Sequence, residues 1–297
     1  MMNILPGGQE FVSCNLCGNN NTKHLYNYGS TNIVKCLDCG LVYANPRPRE
    51  DLNKEFFSKS HHSQDLEKRI SDARVSVFKK ALSDIELRRN GLKGKILDVG
   101  CGVGTFLNLA KSSGWEVTGI ELSKDACEYA KSKLGLEILN SSIEEAHFDK
   151  SSFDVVTLWN VLDHLRDPLS MLKEANRILR PGGFLIIRVP NILFHSCLHK
   201  TFYLLKRFLK KAQDPSIIVN YGFSARTIKE LLRRANFCNI QVKNSFLTKG
   251  NPYASFNFSK KGAELLKIFL NLMANLVYFI SFGRVYISSA LLVFVRK

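Results

Sequence analysis

The sequence contains no repeat with a period of roughly 20 to 50 residues and no long low-complexity tract, which excludes solenoids, propellers and repeat arrays. Its first residues, MMNILPGGQE, lack a basic stretch followed by an apolar run. They do not read as a secretory signal, and a reducing, cytoplasmic setting is expected. There, eight cysteines are expected as thiols, metal ligands or small packing residues rather than disulfides. Acids are scarce in the last third: Arg188 to Lys297 carries 18 Lys and Arg against Asp214, Glu230 and Glu264, which is +15 of the formal +16 of the whole chain. Such a stretch can meet nucleic acid, anionic lipid head groups or a phosphorylated substrate, or simply solubilise the surface. An unbroken apolar rod is missing too. Leu265 to Phe282 approaches spanning length, but Glu264, Lys267, Asn271 and Asn275 recur along it as one polar stripe. That pattern predicts a packed helix before the last strand rather than a membrane span.

What is present suffices for one full core and a small satellite: 297 residues, 45% of them apolar and 23% charged. Residues 11–45 are rich in Cys, Asn and Gly and end in the stiff exit Asn45-Pro46-Arg47-Pro48, so residues 1–48 are expected as a separate module. Helix-favouring sequence from Glu50 to Arg89 stops at Asn90-Gly91 and makes 49–92 a helical linker. From residue 93 to 297, short apolar runs alternate with amphipathic stretches, the pattern of βαβ units around a mainly parallel sheet with helices on both faces. The expected strands are Lys95–Val99, Glu116–Glu121, Glu137–Leu139, Phe153–Trp159, Phe184–Val189 after an Arg180-Pro181-Gly182-Gly183 turn, Ile240–Leu247 and Val285–Val295. Helices are expected over Thr105–Ser113, Lys124–Leu134, Pro168–Leu179 and, after a Ser N-cap, Ser224–Ala235.

The first strand runs into Leu97-Asp98-Val99-Gly100-Cys101-Gly102-Val103-Gly104-Thr105. Glycines there let the backbone turn tightly and approach a nucleotide-like ligand. The dinucleotide pattern fails, since Thr105 stands where its third glycine belongs. Asp98 beside the loop would repel phosphate and attract a cation. S-adenosylmethionine has no phosphate and carries a sulfonium and an ammonium, so it suits this loop. Glu121, 21 residues after Gly100, stands where a carboxylate can accept hydrogen bonds from both ribose hydroxyls.

LDVGCGVGTF, GIELS and RILRPGGFLIIRVPN, in that order, resemble the successive motifs of class I S-adenosylmethionine-dependent methyltransferases. The resemblance covers Lys93 to Asn191 and continues more weakly through YGFSARTIKELLRRANF. It implies a Rossmann-like α/β fold with a seven-stranded sheet whose last strand is antiparallel. It further implies that Asp98, Gly100, Gly102 and Gly104 hold the amino-acid part of the cofactor, Glu121 the ribose, and Leu122 and Ile143 the adenine faces. Family members often have Asp where this chain has Ser142, a contact to the adenine amino group. The segment ending Trp159-Asn160-Val161-Leu162-Asp163-His164 resembles a family loop, commonly ending Glu-His, that borders the acceptor pocket. His164 is the first candidate base and Asn160 a lining residue, although the histidine could equally cap or pack the loop. His195, His199 and Tyr221 are weaker candidates in the segment that would roof the pocket.

Cys14-x-x-Cys17 and Cys36-x-x-Cys39 have the paired-knuckle spacing of a tetrahedral zinc site, each pair followed by glycine, Gly18 and Gly40. Four thiolates leave no open position for water, so the zinc would be structural, in a zinc-ribbon-like module. CLDCGLVYANPRP is also similar to the N-terminal module of bacterial methyltransferases that modify sugars, surface-polysaccharide or lipid precursors and secondary metabolites. Cys101, Cys127, Cys197 and Cys238 are expected as small core residues.

An amphipathic stretch, Ile192 to Lys211 within an insertion at about 192–222, is expected as a lid over the acceptor pocket. A basic helix of this kind can also lie on an anionic membrane, which would place the protein at the inner face of the membrane. The expected activity is methyl transfer to a small-molecule or lipid-linked acceptor, a sugar or biosynthetic intermediate. RNA or protein methylation, and S-adenosylmethionine binding without catalysis, are the alternatives.

Overall fold

A computed structural model describes residues 8–28, 31–48, 64–205, 220–246, 248 and 260–297. In chain order the elements are β1 (Gln9–Glu10), β2 (Thr22–Tyr28), β3 (Thr31–Cys36), β4 (Val42–Ala44), β5 (Arg47–Pro48), α1 (Gln64–Arg88), β6 (Lys95–Val99), α2 (Thr105–Ser112), β7 (Glu116–Ile120), α3 (Lys124–Leu134) and β8 (Ile138–Leu139). They continue with β9 (Phe153–Trp159), α4 (Pro168–Ile178), β10 (Leu179–Pro190), α5 (Ile192–Leu205), β11 (Tyr221–Gly222), α6 (Ala225–Arg234), β12 (Cys238–Asn244), α7 (Lys260–Ile280) and β13 (Ala290–Arg296).

Seven strands form one sheet in the order β12-β13-β10-β9-β6-β7-β8. β10, β9, β6, β7 and β8 are parallel, and β13 runs antiparallel to both its neighbours. Because side chains alternate across a strand, the continuous apolar runs bury both faces. Leu97, Val156, Leu158, Leu185, Ile187 and Val293 share one core with Met171 and Leu172 of α4 and Ile228, Leu231 and Leu232 of α6. Ile96, Val155, Trp159, Ile186, Leu292 and Phe294 face a second core with Phe106 and Leu107 of α2, Ala130 of α3, and Val77, Phe78, Ala81 and Ile85 of α1. The stretch before residue 92 therefore supplies a layer over the sheet, and it ends at Asn90 and Gly91, both left-handed at φ 54° and 78°. α3 is capped by Ser123, which accepts the Ala126 N–H, and α6 by reciprocal bonds between Ser224 and Thr227.

A second sheet, β11-β4-β3-β2, builds the N-terminal module. Its outer strand comes from far along the chain: Tyr221 pairs with Tyr43 and Gly222 with Val42. A side chain on Gly222 would collide with Ile192 of α5, with contacts of 2.6 Å.

Several expectations need correction. The Arg180 to Gly183 segment is not a turn before a strand: β10 runs unbroken from Leu179 to Pro190, with a register shift against β9 between Leu179 and Phe184. The last strand starts at Ala290 rather than Val285. Cys197 and Cys238 are exposed, while Cys101 is buried. α7 forms, but it does not bury its apolar side: Leu265, Phe269, Leu272, Leu276 and Phe279 are exposed. Lys206, Arg207, Lys210 and Lys211 lie outside the described residues. No helix among the described residues is long and apolar enough to cross a membrane.

Candidate active site and cysteine cluster

The strand order reverses between β6 and β9, and open α/β sheets bind ligands at the carboxyl ends of strands beside such a reversal. There Gly100, Gly102 and Gly104 have φ of 64°, 55° and 78°. Gly100 and Gly104 are closed in, since added Cβ atoms would meet Val161 at 2.6 Å and Leu136 at 2.9 Å. Gly102 has nothing within 4 Å of that position, so its backbone lines open space. Glu121 holds the turn: one carboxylate oxygen accepts the Gly102 N–H and the other the Ser123 N–H, both at 2.9 Å. Each oxygen retains a further acceptor direction for a ligand hydroxyl. Asn140 fixes the same corner by donating to the carbonyls of Glu121 and Leu122, each at 2.9 Å.

Asp98 is buried beneath the loop. Its Oδ1 accepts from Thr157 Oγ1 at 2.6 Å, while Oδ2 has no protein partner. Burial pushes its carboxyl well above the usual carboxylate range and Glu121's negative charge adds to the effect, against the Thr157 hydrogen bond. A buried carboxyl with an unused oxygen, under the charge of a second carboxylate, favours a cation over an anion. Farther along the crevice, Ile143 is buried and Leu122 exposed. Ser142 spends its oxygen on the Glu145 N–H, and the buried Ser141 hydroxyl beside it has no protein partner.

The residues expected on the acceptor side follow β9. Asn160 is left-handed, φ 60°, and its side-chain oxygen accepts from Arg188, which also donates to Ser245 at 2.9 Å. Asp163 is buried, and its carboxylate lies 3.5 Å from His164 Nε2. His195, at the start of α5, accompanies this group. Burial lowers its basicity and Arg188's charge adds to that, while its hydrogen bond with the Ser289 carbonyl and the charge of Asp163 oppose it. His199 lies elsewhere, stacked on Tyr26 of the module at 3.9 Å between ring centroids. Tyr221 donates its hydroxyl to the Arg166 carbonyl at 2.9 Å. Thr157, Arg188, Asn140 and Ser141 carry no motif signal, because their roles come from neighbouring strands rather than from local spacing.

The four cysteine Sγ atoms of Cys14, Cys17, Cys36 and Cys39 all lie within 4.8 Å of one another. A tetrahedral zinc thiolate site has sulfur–sulfur edges of about 3.8 Å, and the Cys14–Cys39 and Cys17–Cys36 pairs stand at 3.4 and 3.5 Å. Gly18 and Gly40 close the knuckles with φ of 81° and 82°, donating to the carbonyls of Cys14 and Cys36. The donor set and its spacing fit the metal.

This cluster is joined to the segment after β9. Asn15, inside the first knuckle, donates to Asp167 at 3.0 Å and accepts from the Leu169 N–H at the start of α4. Arg47 donates to the Arg166 carbonyl at 2.9 Å and pairs with Glu10. Asn220 and Tyr221 donate their N–H groups to the Asp163 carbonyl.

A seven-stranded α/β sheet with a glycine loop and two acids at its switch point defines a nucleoside-cofactor domain. A family model of a methyltransferase domain matches residues 67–242, and the chain belongs to that family of methyltransferases. A demethylmenaquinone methyltransferase of Staphylococcus aureus (strain MRSA252) is 27% identical over 220 residues, covering 67% of this chain and 90% of that protein. Among solved structures, an S-adenosylmethionine-dependent methyltransferase from Listeria monocytogenes matches with TM-score 0.50 at 18% identity, over 75% of this chain and 98% of that one. A chain of the Haloferax volcanii complex between the Trm112 methyltransferase activator and a methyltransferase matches with TM-score 0.53 at 18% identity, over 77% and 92%. The catalytic domain thus has the class I S-adenosylmethionine-dependent methyltransferase fold.

Proposed function

We propose that the protein transfers the methyl group of S-adenosylmethionine to a small-molecule or lipid-linked acceptor, a sugar or biosynthetic intermediate. The observation that carries this is the pair of acids at the glycine loop, with Glu121 clamping the turn and Asp98 buried with one oxygen unused. The likeness to a demethylmenaquinone methyltransferase supports a small-molecule acceptor. When bound, the cofactor supplies a methyl group already activated on a sulfonium, so alignment of the acceptor accounts for much of the rate. Asp98 and the N–H groups around Gly100, Gly102 and Gly104 hold the amino-acid part. Glu121 takes the ribose hydroxyls, and Leu122, Ser142 and Ile143 border the adenine. Asn160, fixed by Arg188, lines the acceptor side, and the first turn of α5 closes it as a wall. His164, oriented by Asp163, takes the acceptor's proton where that proton must leave. Cys14, Cys17, Cys36 and Cys39 hold a structural zinc whose module fixes the loop that carries His164.

Replacing Glu121 by Ala is expected to weaken S-adenosylmethionine binding by about 1 to 3 kcal/mol, the loss of charge-assisted hydrogen bonds. Calorimetric titration of the purified variant measures this. An affinity equal to that of the parent protein would remove the ribose assignment.

A further inference from the structure

α7 is turned the opposite way from a helix of a water-facing domain. Its body side carries Ala274, which is buried, with Asn271, Val277, Tyr278 and Ser281 partly buried around it. Asn244 donates to the Ala274 carbonyl at 2.9 Å and anchors the helix to the sheet. On the opposite side Leu265, Ile268, Phe269, Leu272, Met273, Leu276, Phe279 and Ile280 are all exposed. At 100° per residue these eight fall within one arc, while Asn271 and Asn275 lie outside it. Phe279 is 79% exposed and Phe282, just beyond the helix, 90%. Apolar surface on this scale is rare on a solvated monomer and marks a docking face.

The charge beside it selects the partner. At the carboxyl end of α7, a cleft of about 340 Å³ is lined by Arg226, Lys229, Arg233, Arg284 and Tyr286, with no acid among its lining residues. Glu230, on the same helix as three of these cations, is paired with Arg233 and Arg234. Two-fold pairing through α7 would bring this cleft toward the amino end of the other copy's helix, which begins Lys260-Lys261. A layer that is apolar inside and anionic at its edge satisfies both features at once.

We propose that α7 and this cleft form a docking face for an anionic phospholipid membrane. The exposed side chains Leu265, Ile268, Phe269, Leu272, Met273, Leu276, Phe279, Ile280 and Phe282 enter the acyl boundary, and the cleft takes lipid phosphates. The contact is peripheral and is made by α7; α5 packs on the N-terminal module through Ile192 and His199. The anchor residue Asn244 adjoins Ser245, which accepts from Arg188, so a hydrogen bond links the end of β12 that holds α7 to the residue that fixes Asn160.

Co-sedimentation of the full chain with vesicles tests this. Strong binding is expected to phosphatidylcholine vesicles containing phosphatidylglycerol, and weak binding to phosphatidylcholine alone. Phe279→Asp with Phe269→Asp should abolish sedimentation. Arg226→Gln with Arg284→Gln should lower affinity about fivefold for each arginine replaced, the usual worth of a basic residue at an anionic surface. All these positions are exposed, and unchanged S-adenosylmethionine affinity confirms that the variants fold, so a failure of docking is separable from a failure of the methyltransferase reading. Equal sedimentation of parent and Phe279→Asp, Phe269→Asp protein overturns the proposal. So does a dimer in solution that those substitutions dissociate, with no vesicle binding by the parent, which would assign the face to a second copy.

Discussion

Asp98→Asn is expected to weaken S-adenosylmethionine binding by about 2 to 4 kcal/mol, the cost of removing one partner of a buried charge pair, while leaving the unliganded protein more stable at pH above the folded value of Asp98. Both effects come from one group. Asp98 is fully enclosed, its pKa raised by burial and by Glu121, so the folded protein holds its proton more tightly than the unfolded chain does. The sign follows from linkage: a raised carboxyl contributes stability that is present below the unfolded value, near pH 4, and lost as pH rises through the folded value. The parent protein should therefore lose stability over that interval, and the Asn variant should not. A bound cation reverses the preference and expels the proton, so the parent's affinity for the cofactor should increase with pH. Calorimetry in buffers of different ionisation enthalpy should show proton release for the parent and none for the variant. Equal affinities, or the same proton release in both, would show that Asp98 does not face the cofactor.

Removing the metal is expected to act on turnover rather than on cofactor binding. Asn15 sits between the first two cysteines and grips Asp167 and Leu169, and Arg47 grips Arg166, so the knuckle braces the loop that presents Asp163 and His164. Asp98 and Glu121 stand at the ends of β6 and β7, and the glycine loop meets the loop after β9 at Val161, against which Gly100 is packed. A strong chelator, or Cys36→Ser, should melt the metal-dependent module. Turnover should then fall about a hundredfold, the scale of a misplacement of about 1 Å. The dissociation constant for S-adenosylmethionine should stay within about threefold. Metal analysis of the parent should find about one zinc per chain. Absence of zinc, or an equal collapse of cofactor affinity, would break the link between knuckle and loop.

The sheet was legible because each parallel strand is a short apolar run closed by a turn signal, and because the glycine loop and Glu121 lie at fixed distances along a single βαβ unit. Legibility ended where pairing is remote. Nothing local marks Tyr221 and Gly222 as the outer strand of the module, since their partners, Tyr43 and Val42, are far away in sequence. Arg188 reads as an interruption of an apolar strand, and its partners Asn160 and Ser245 come from other parts of the chain. In α7 the polar stripe was visible but not its direction: periodicity gives two faces to a helix without saying which one meets the core. The Arg180 to Gly183 segment looked like a turn because Pro and Gly are turn formers, yet at the entry of β10 they serve a register shift within the strand.

Titration of the purified full-length chain with S-adenosylmethionine and, separately, with NAD tests the electrostatic claim beneath all of this. Saturable uptake of the sulfonium compound with no heat from NAD is the predicted result. Tight binding of the phosphate-bearing coenzyme without uptake of S-adenosylmethionine would contradict it.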